Sequence, residues 1–335
     1  LHKVFVDAQA FDPLSYGPGW MWDERDDAYA APVSALILDG NMFQLHLHAS
    51  AGKARLWLNK NLPFRFKTNI TLAAASESCK LAFHPSGYDR YLLEGCMHNQ
   101  EEQIMDVAIK DPQTMLQFSL NNFFRKRHIL YPERYLWKSF KETEVSAFKV
   151  VTHKSLPLWK LLAHMSKRSD NLYAEAIFQT LAAKRYGYPG SWEKAQHFAC
   201  RSFSGLSAFR SCSIMDGSGL SRYNQANAAQ ISRVLDGIYS SMDWRAKIPQ
   251  LFATPGEPGT LLESRLSKFN GYLHLKTGSM SGVTNIAGYA GLFTRPYSLV
   301  ILVNGVPKEP QKERQLIWID QLVNELANYA KHSAL

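Results

Sequence analysis

The chain is 335 residues long, enough for two or three domains with a full core, and 46% of it is apolar and 20% charged. That balance excludes intrinsic disorder and collagen-like repetition. Lysine and arginine exceed aspartate and glutamate by 38 to 29, a formal charge of +9, which suits anionic surroundings or simply a solubilised surface. No apolar run reaches the roughly 18 residues that span a bilayer, so at most peripheral membrane contact is expected.

The opening residues, Leu1 to Asp7, read as a strand already inside a fold rather than a signal peptide, and something upstream is expected to be missing. The first ~140 residues are strand-rich on pattern grounds. Polar and apolar residues alternate over 42–48 and again over 54–58, and Pro85-Ser86-Gly87 marks a turn. An amphipathic helix is predicted from Pro112 to Lys126, with Met115, Phe118, Leu120 and Phe123 at near-helical intervals. The densest basic run, Phe124-Arg125-Lys126-Arg127-His128, suits a solvated helix end better than a nucleic-acid patch, and no nucleic-acid partner is expected.

From about Glu144 helices alternate with strands. Pro157 opens a helix with Leu158, Leu161, Leu162 and Met165 on one face, and a second helix is predicted from Leu172 to about Lys184. Three strands, 271–276, 283–293 and 297–303, are joined by short polar connections and predict an antiparallel meander. A last helix carries Leu316, Ile319, Val323, Leu326 and Ala330 along one side, a stripe to bury against the sheet. The fold class that follows is α+β, with helices packed on an antiparallel sheet and a mainly β region in front.

Four cysteines fall into two close pairs, Cys79 with Cys96 and Cys200 with Cys212. Even number and short spacing suit two disulfides in an oxidising compartment, and four buried free thiols are the alternative. No pair has C-x-x-C spacing. His46-Leu47-His48 lacks a third ligand nearby, so alternation in a half-exposed strand accounts for it and no metal is expected.

Two short motifs carry the chemistry. Ser169-Asp170-Asn171 sits between two predicted helices, and Lys276-Thr277-Gly278-Ser279 ends a strand. Alone, the first is an ordinary helix N-cap and the second an ordinary exit into a turn. Together, in this order and these contexts, they match the S-D-N and K-T-G members of a serine acyl-transferase signature whose third member is S-x-x-K. Asp216-Gly217-Ser218-Gly219-Leu220-Ser221-Arg222-Tyr223-Asn224 lies between them, and its glycines lack the spacing of a dinucleotide fingerprint. With Tyr16-Gly17-Pro18-Gly19-Trp20-Met21-Trp22-Asp23, Ala31-Pro32-Val33-Ser34-Ala35-Leu36 and Pro255-Gly256-Glu257-Pro258-Gly259-Thr260-Leu261, the chain resembles the class C low-molecular-mass penicillin-binding proteins, the peptidase S13 group, and within it the penicillin-binding protein 4 type.

The resemblance implies a transpeptidase/β-lactamase-like domain interrupted by mainly β accessory domains inserted before S-x-N. Residues 1–143 would be the inserts and 144–335 the C-terminal part of the catalytic domain. It implies a periplasmic serine-type D-alanyl-D-alanine carboxypeptidase/endopeptidase that acts on peptidoglycan stem peptides through an acyl-enzyme, without cofactor or metal, and that β-lactam antibiotics acylate. Ser169 would relay a proton to the leaving amine, Asn171 would hold a stem-peptide amide, and Lys276 would supply positive charge. Thr277 and Ser279 would offer hydroxyls to the terminal carboxylate, Gly278 would leave room for a substrate backbone, and Ser218 and Leu220 would border the cleft. Asp23 or Glu24 would meet the ammonium group of a diamino acid.

The nucleophilic serine and its lysine should precede the inserts, upstream of Leu1. Two formal S-x-x-K strings, Ser146-Ala147-Phe148-Lys149 and Ser191-Trp192-Glu193-Lys194, lie on the wrong side of the inserts and are expected to be chance. The rival reading is a non-catalytic peptidoglycan- or partner-binding relative of the same fold.

Overall fold

In this computed structural model the described residues are 3–58, 60–87, 90–131, 135–137, 151–205, 211–261, 266–305 and 311–332. Contacts divide the chain into two units, Leu1–Val151 with Phe178–Ala195, and Thr152–Ile177 with Gln196–Leu335.

The first unit follows from strand alternation. In β2 (Met42–Ser50) Phe43, Leu45, Leu47 and Ala49 are all buried while their neighbours are only half so, the period of a sheet with one face on a core. β2 pairs antiparallel with β3 (Lys53–Leu58) on one side and β7 (Glu102–Ala108) on the other. A second sheet has the order β4 (Arg65–Ala73), β6 (Arg90–His98), β5 (Leu81–Pro85), parallel in its first pair and antiparallel in its second. Phe43, Phe64, Phe83 and Tyr91 share one core cluster, with ring centroids 5.1–6.4 Å apart. Each such burial contributes about 1.5–3 kcal/mol. β1 (Val4–Val6) pairs in parallel with β8 (Tyr135–Trp137).

Helix α1 (Pro112–Lys126) starts at Asp111, whose carboxylate accepts the Thr114 N–H. It packs Met115 into the core but leaves Phe123 48% exposed, so the predicted apolar stripe is buried at only one end. Its basic end closes with Ile129 N–H donating to Phe124 O and His128 N–H to Arg125 O, a Schellman turn that places the cations where the helix dipole favours them. His46 stacks on Trp57 and His48 lies 3.3 Å from Glu102. Among the described residues no group of three His, Cys, Asp or Glu is placed to hold a metal.

The second unit is built on one antiparallel sheet of order β11 (Tyr297–Asn304), β10 (Val283–Ala290), β9 (Leu273–Met280). Helix α2 (Leu158–Arg168) precedes α3 (Asn171–Tyr186), which runs on into the first unit, and α4 (Trp192–Phe203) returns. Then come α5 (Ala228–Ser240), the single turns α6 (Met242–Arg245) and α7 (Ile248–Leu251), and finally α8 (Gln311–His332). Leu273, Leu275, Ile286 and Ala290 face Ile319, Val323 and Ala327 of α8. Tyr289, on the other face, packs with Leu235 of α5 and donates to its carbonyl at 2.6 Å. The sheet is therefore covered by helices on both faces, and the α+β class and the three-strand meander read from the sequence are both present.

Three details differ from expectation. The buried row of α8 is Ile319, Val323, Ala327 at i, i+4, i+8, so Leu326 is turned out and 42% exposed. The side chains of Leu316 and Ala330 lie outside the described residues. In α2 no residue is fully buried and Leu158 is exposed, because Pro157 is its N-cap and Leu158 opens the first turn. α3 begins at Asn171, one residue before the predicted start. Both cysteine pairs, Cys79–Cys96 and Cys200–Cys212, are disulfide-bonded. Among the described residues no helix is long and apolar enough to cross a membrane.

Candidate active site

The loop between α2 and α3 is two residues long. Ser169 ends α2 with φ 53°, a left-handed conformation that costs a side-chain-bearing residue about 1–2 kcal/mol. Asp170 performs the capping: its carboxylate accepts the Tyr173 N–H at 3.0 Å and lies 3.2 Å from His164 Nε2. The middle residue of the motif thus satisfies the helix, and Ser169 is left for another partner. That partner is Lys276, whose Nζ donates to Ser169 Oγ and to the Thr277 carbonyl.

Lys276 owes its direction to strand period. Leu273 and Leu275 point to the α8 core, so Lys276 emerges on the opposite face with His274. Its ammonium is half-buried, and desolvation lowers its pKa to about 8. Among the described residues no carboxylate pairs with it. A cation kept from water with only neutral oxygens beside it is a site prepared for an anion.

β9 is an edge strand. Among the described residues its outer side is bridged once, where Ala253 and Leu275 exchange N–H···O bonds at 2.8 and 2.9 Å. Alternation along a strand turns the N–H and C=O groups of Thr277 and Ser279 the same way as those of Leu275. Thr277 is half-buried, and Gly278 and Ser279 are exposed. At Gly278 an added Cβ would meet, among the described residues, only Asn285 Cβ at 3.8 Å, so their packing does not demand glycine there.

The stretch from Asp216 to Asn224 is fixed by side chains rather than by a ladder. Glu175, fully buried on α3, accepts the Gly217 N–H at 3.0 Å and the Ser218 N–H at 2.8 Å. Asp216, also buried, accepts from Gly219 N at 2.9 Å, Ser221 N at 2.6 Å and Asn224 Nδ2 at 2.6 Å. Leu220 N–H donates to Ser218 Oγ at 3.3 Å, and Leu220 itself is buried. Burial and the neighbouring Asp216 charge push the Glu175 pKa up to about 8, against hydrogen bonds from Ser218 and Gly217 that favour the ionised form. Glu175 stands four residues after Asn171, on the same helix face. No sequence motif marks Glu175. The available signal was an acid between Ala174 and Ala176, one turn after Asn171.

Asp23 and Glu24 belong to the first unit, in a single turn Trp22–Glu24. Asp23 lines a cavity of about 650 Å³ together with Asp26, Asp27 and Asp106, and Glu24 is not on its wall. Arg25 lies 4.5 Å over the rings of both Tyr16 and Trp22, and Lys110 pairs with Asp26 at 2.7 Å. Of the two S-x-x-K strings, Ser191 caps α4 by accepting the Lys194 N–H at 3.2 Å, and Lys194 Nζ donates to the Gly187 and Pro189 carbonyls. Ser146 to Lys149 lies outside the described residues.

The chain matches the family described as D-Ala-D-Ala carboxypeptidase 3 (S13) over residues 2–326. The D-alanyl-D-alanine carboxypeptidase DacB of Haemophilus influenzae is 25% identical over 347 residues, covering 97% of this chain and 71% of its own length. Penicillin-sensitive carboxypeptidase A of Dictyostelium discoideum is 24% identical over 87% of this chain and 56% of its own. A D-alanyl-D-alanine carboxypeptidase of Actinomadura is 28% identical over 54% and 34%. The crystal structure of penicillin binding protein 4 (dacB) from Haemophilus influenzae superposes with a TM-score of 0.81 at 23% identity, over 97% of this chain and 75% of that one. Its complex with a novel β-lactam gives 0.75 at 22%, over 97% and 74%. At these identities the structures speak for the fold.

Proposed function

The chain belongs to the D-Ala-D-Ala carboxypeptidase 3 (S13) family, and from that premise we propose that it works as a serine-type D-alanyl-D-alanine carboxypeptidase/endopeptidase on peptidoglycan stem peptides in the periplasm. The observation that carries this reading is the half-buried Lys276 ammonium, hydrogen-bonded to Ser169 and with no carboxylate beside it among the described residues. A D-Ala-D-Ala tail ends in a carboxylate, the charge that position lacks.

In this reading the nucleophile comes from the S-x-x-K segment that the resemblance puts ahead of Leu1. Its serine oxygen attacks the penultimate D-Ala carbonyl, the C–O bond forms, and the C–N bond to the terminal D-Ala breaks. The proton that the attacking serine gives up passes to the S-x-x-K lysine and, by way of Ser169, to the departing amine, and water then cleaves the ester to release the shortened peptide acid and the free serine. Lys276 holds the terminal carboxylate, joined by the hydroxyls of Thr277 and Ser279. The open edge of β9 aligns the extended peptide, and the Ser279 N–H supplies half of an oxyanion hole. Asn171 holds a stem-peptide amide, and Ser218 and Leu220 border the cleft. β-Lactams acylate the same serine and carry a carboxylate in the corresponding place.

The direct test is intact-mass detection of a penicilloyl adduct on the full-length protein. No adduct, with the protein folded, sinks the reading. A second test follows from protonation. Lys276 is cationic below about pH 8 and neutral above it, so carboxylate binding is lost as pH rises through that value. The KM for acyl-D-Ala-D-Ala should climb above pH 8, whereas an analogue with an amidated C-terminus should show no such limb.

The Asp23 cavity, with four aspartates on its wall against Arg25 and Lys110, suits an ammonium-bearing side chain such as that of a diamino acid. Asp23→Ala is expected to raise KM for diaminopimelate-type peptides several-fold, on the order of one exposed-to-half-buried ion pair, and to spare simple acyl-D-Ala-D-Ala. Glu24→Ala, off the cavity wall, should do less. Equal losses on both substrates would remove the assignment.

A further inference from the structure

All five backbone N–H groups from Gly217 to Ser221 donate to side chains. Two go to Glu175, two to Asp216 and one to Ser218 Oγ. A segment held this way has its geometry set by where those acceptors stand. Asp216 and Ser218 belong to the segment itself, so they fix its shape. Glu175 comes from α3, so it ties the Gly217–Ser218 end of the segment to that helix, while Arg222 Nη1 donates to the Ser281 carbonyl at 2.6 Å at the other end. We propose that Glu175 is a positioning residue, which holds Ser218 and Leu220 in register with Asn171 by tying their loop to the helix that Asn171 begins. The proposal rests on the acyl-transfer reading of this site.

The chemistry of the contact supports a role beyond packing. Glu175 is completely buried and has the carboxylate of Asp216, also buried, as a neighbour. Two acids shut from water side by side work against the fold, and apolar residues of similar volume usually serve a core better. What a carboxyl group provides, and an apolar side chain does not, is oxygen acceptors within reach of two successive backbone donors. The bond to Ser218 links this anchor to the cleft, because Ser218 Oγ in turn accepts the Leu220 N–H. Glu175 touches no reacting atom in this scheme and acts only through the loop.

Glu175→Gln keeps the size but sets an amide N–H₂ against a donor. In the full-length protein, the acylation rate constant for a fluorescent penicillin is measured on the fraction of sites that a saturating β-lactam titrates, so any unfolded protein drops out. The expected result is a fall of tenfold to a hundredfold per titrated site. A double-mutant cycle with Ser218→Ala should show overlapping effects, since both changes release the same loop. A purely structural role would lower the number of titrated sites and leave the rate constant of the remainder unchanged. That outcome, or effects of the two substitutions that simply multiply, overturns the proposal. Wild-type protein that forms no adduct would instead remove the acyl-transfer reading, and the positioning role with it.

Discussion

Lys276→Ala in the full-length protein is expected to slow acylation by a fluorescent penicillin by on the order of 10²–10³, the usual cost of losing one fixed group that meets developing or substrate charge. The fold should survive. The ammonium is half-buried, and among the described residues its partners are Ser169 Oγ and the Thr277 carbonyl, so removing it relieves desolvation rather than stranding a carboxylate. Thermal unfolding of the variant should therefore stay within a few degrees of wild type, or rise. Lys276→Arg is not a substitute, because a planar, weakly hydrated fork does not fill the place of a compact ammonium. Acylation at the wild-type rate would take Lys276 out of the mechanism.

Gly278→Val should give the second large effect, and the reason is a contrast between two glycines of one sheet. At Gly288, with φ +156°, a Cβ would stand 2.1 Å from the His274 carbonyl oxygen, so Gly288→Ala is expected to destabilise the protein severely. At Gly278 a Cβ meets nothing closer than 3.8 Å among the described residues, and valine suits a strand better than glycine does. The variant should fold at least as well as wild type. If an extended substrate lies along β9, the valine methyls enter its space, and kcat/KM on acyl-D-Ala-D-Ala should fall by on the order of a hundredfold. Turnover at the wild-type rate would mean that no peptide backbone approaches that position.

Much of this was legible in the sequence because its causes are local. Alternation in β2 and β9 follows from side-chain period, and the meander follows from short polar connections. The pairing of Ser169 with Lys276 was readable only as a match to a known motif set, since 107 residues separate them. Within Ser169-Asp170-Asn171 the pattern did not tell which residue caps the helix; Asp170 does, and the left-handed Ser169 is a consequence of a two-residue connection. Glu175 was hidden for a different reason. Its partners are backbone N–H groups 42 and 43 residues away, which carry no sequence signature. The exchange of Leu326 for Ala327 in the buried row of α8 reflects helix rotation of one position, finer than apolar counting resolves.

The open border of β9 has a consequence for solubility. Sheet borders invite other sheets, and a long flat one zips into a neighbour's strand. Here the Ala253 bridge occupies the border at Leu275 and the strand stops at Met280, so among the described residues the five from Lys276 to Met280 have their outer border open beyond the bridge. That is about 17 Å of extended backbone, room for a short peptide tail. A longer partner strand meets the Ala253 bridge at one end and runs past Met280 at the other. A short border of this kind is one of the ways in which sheet edges are kept from pairing with other chains.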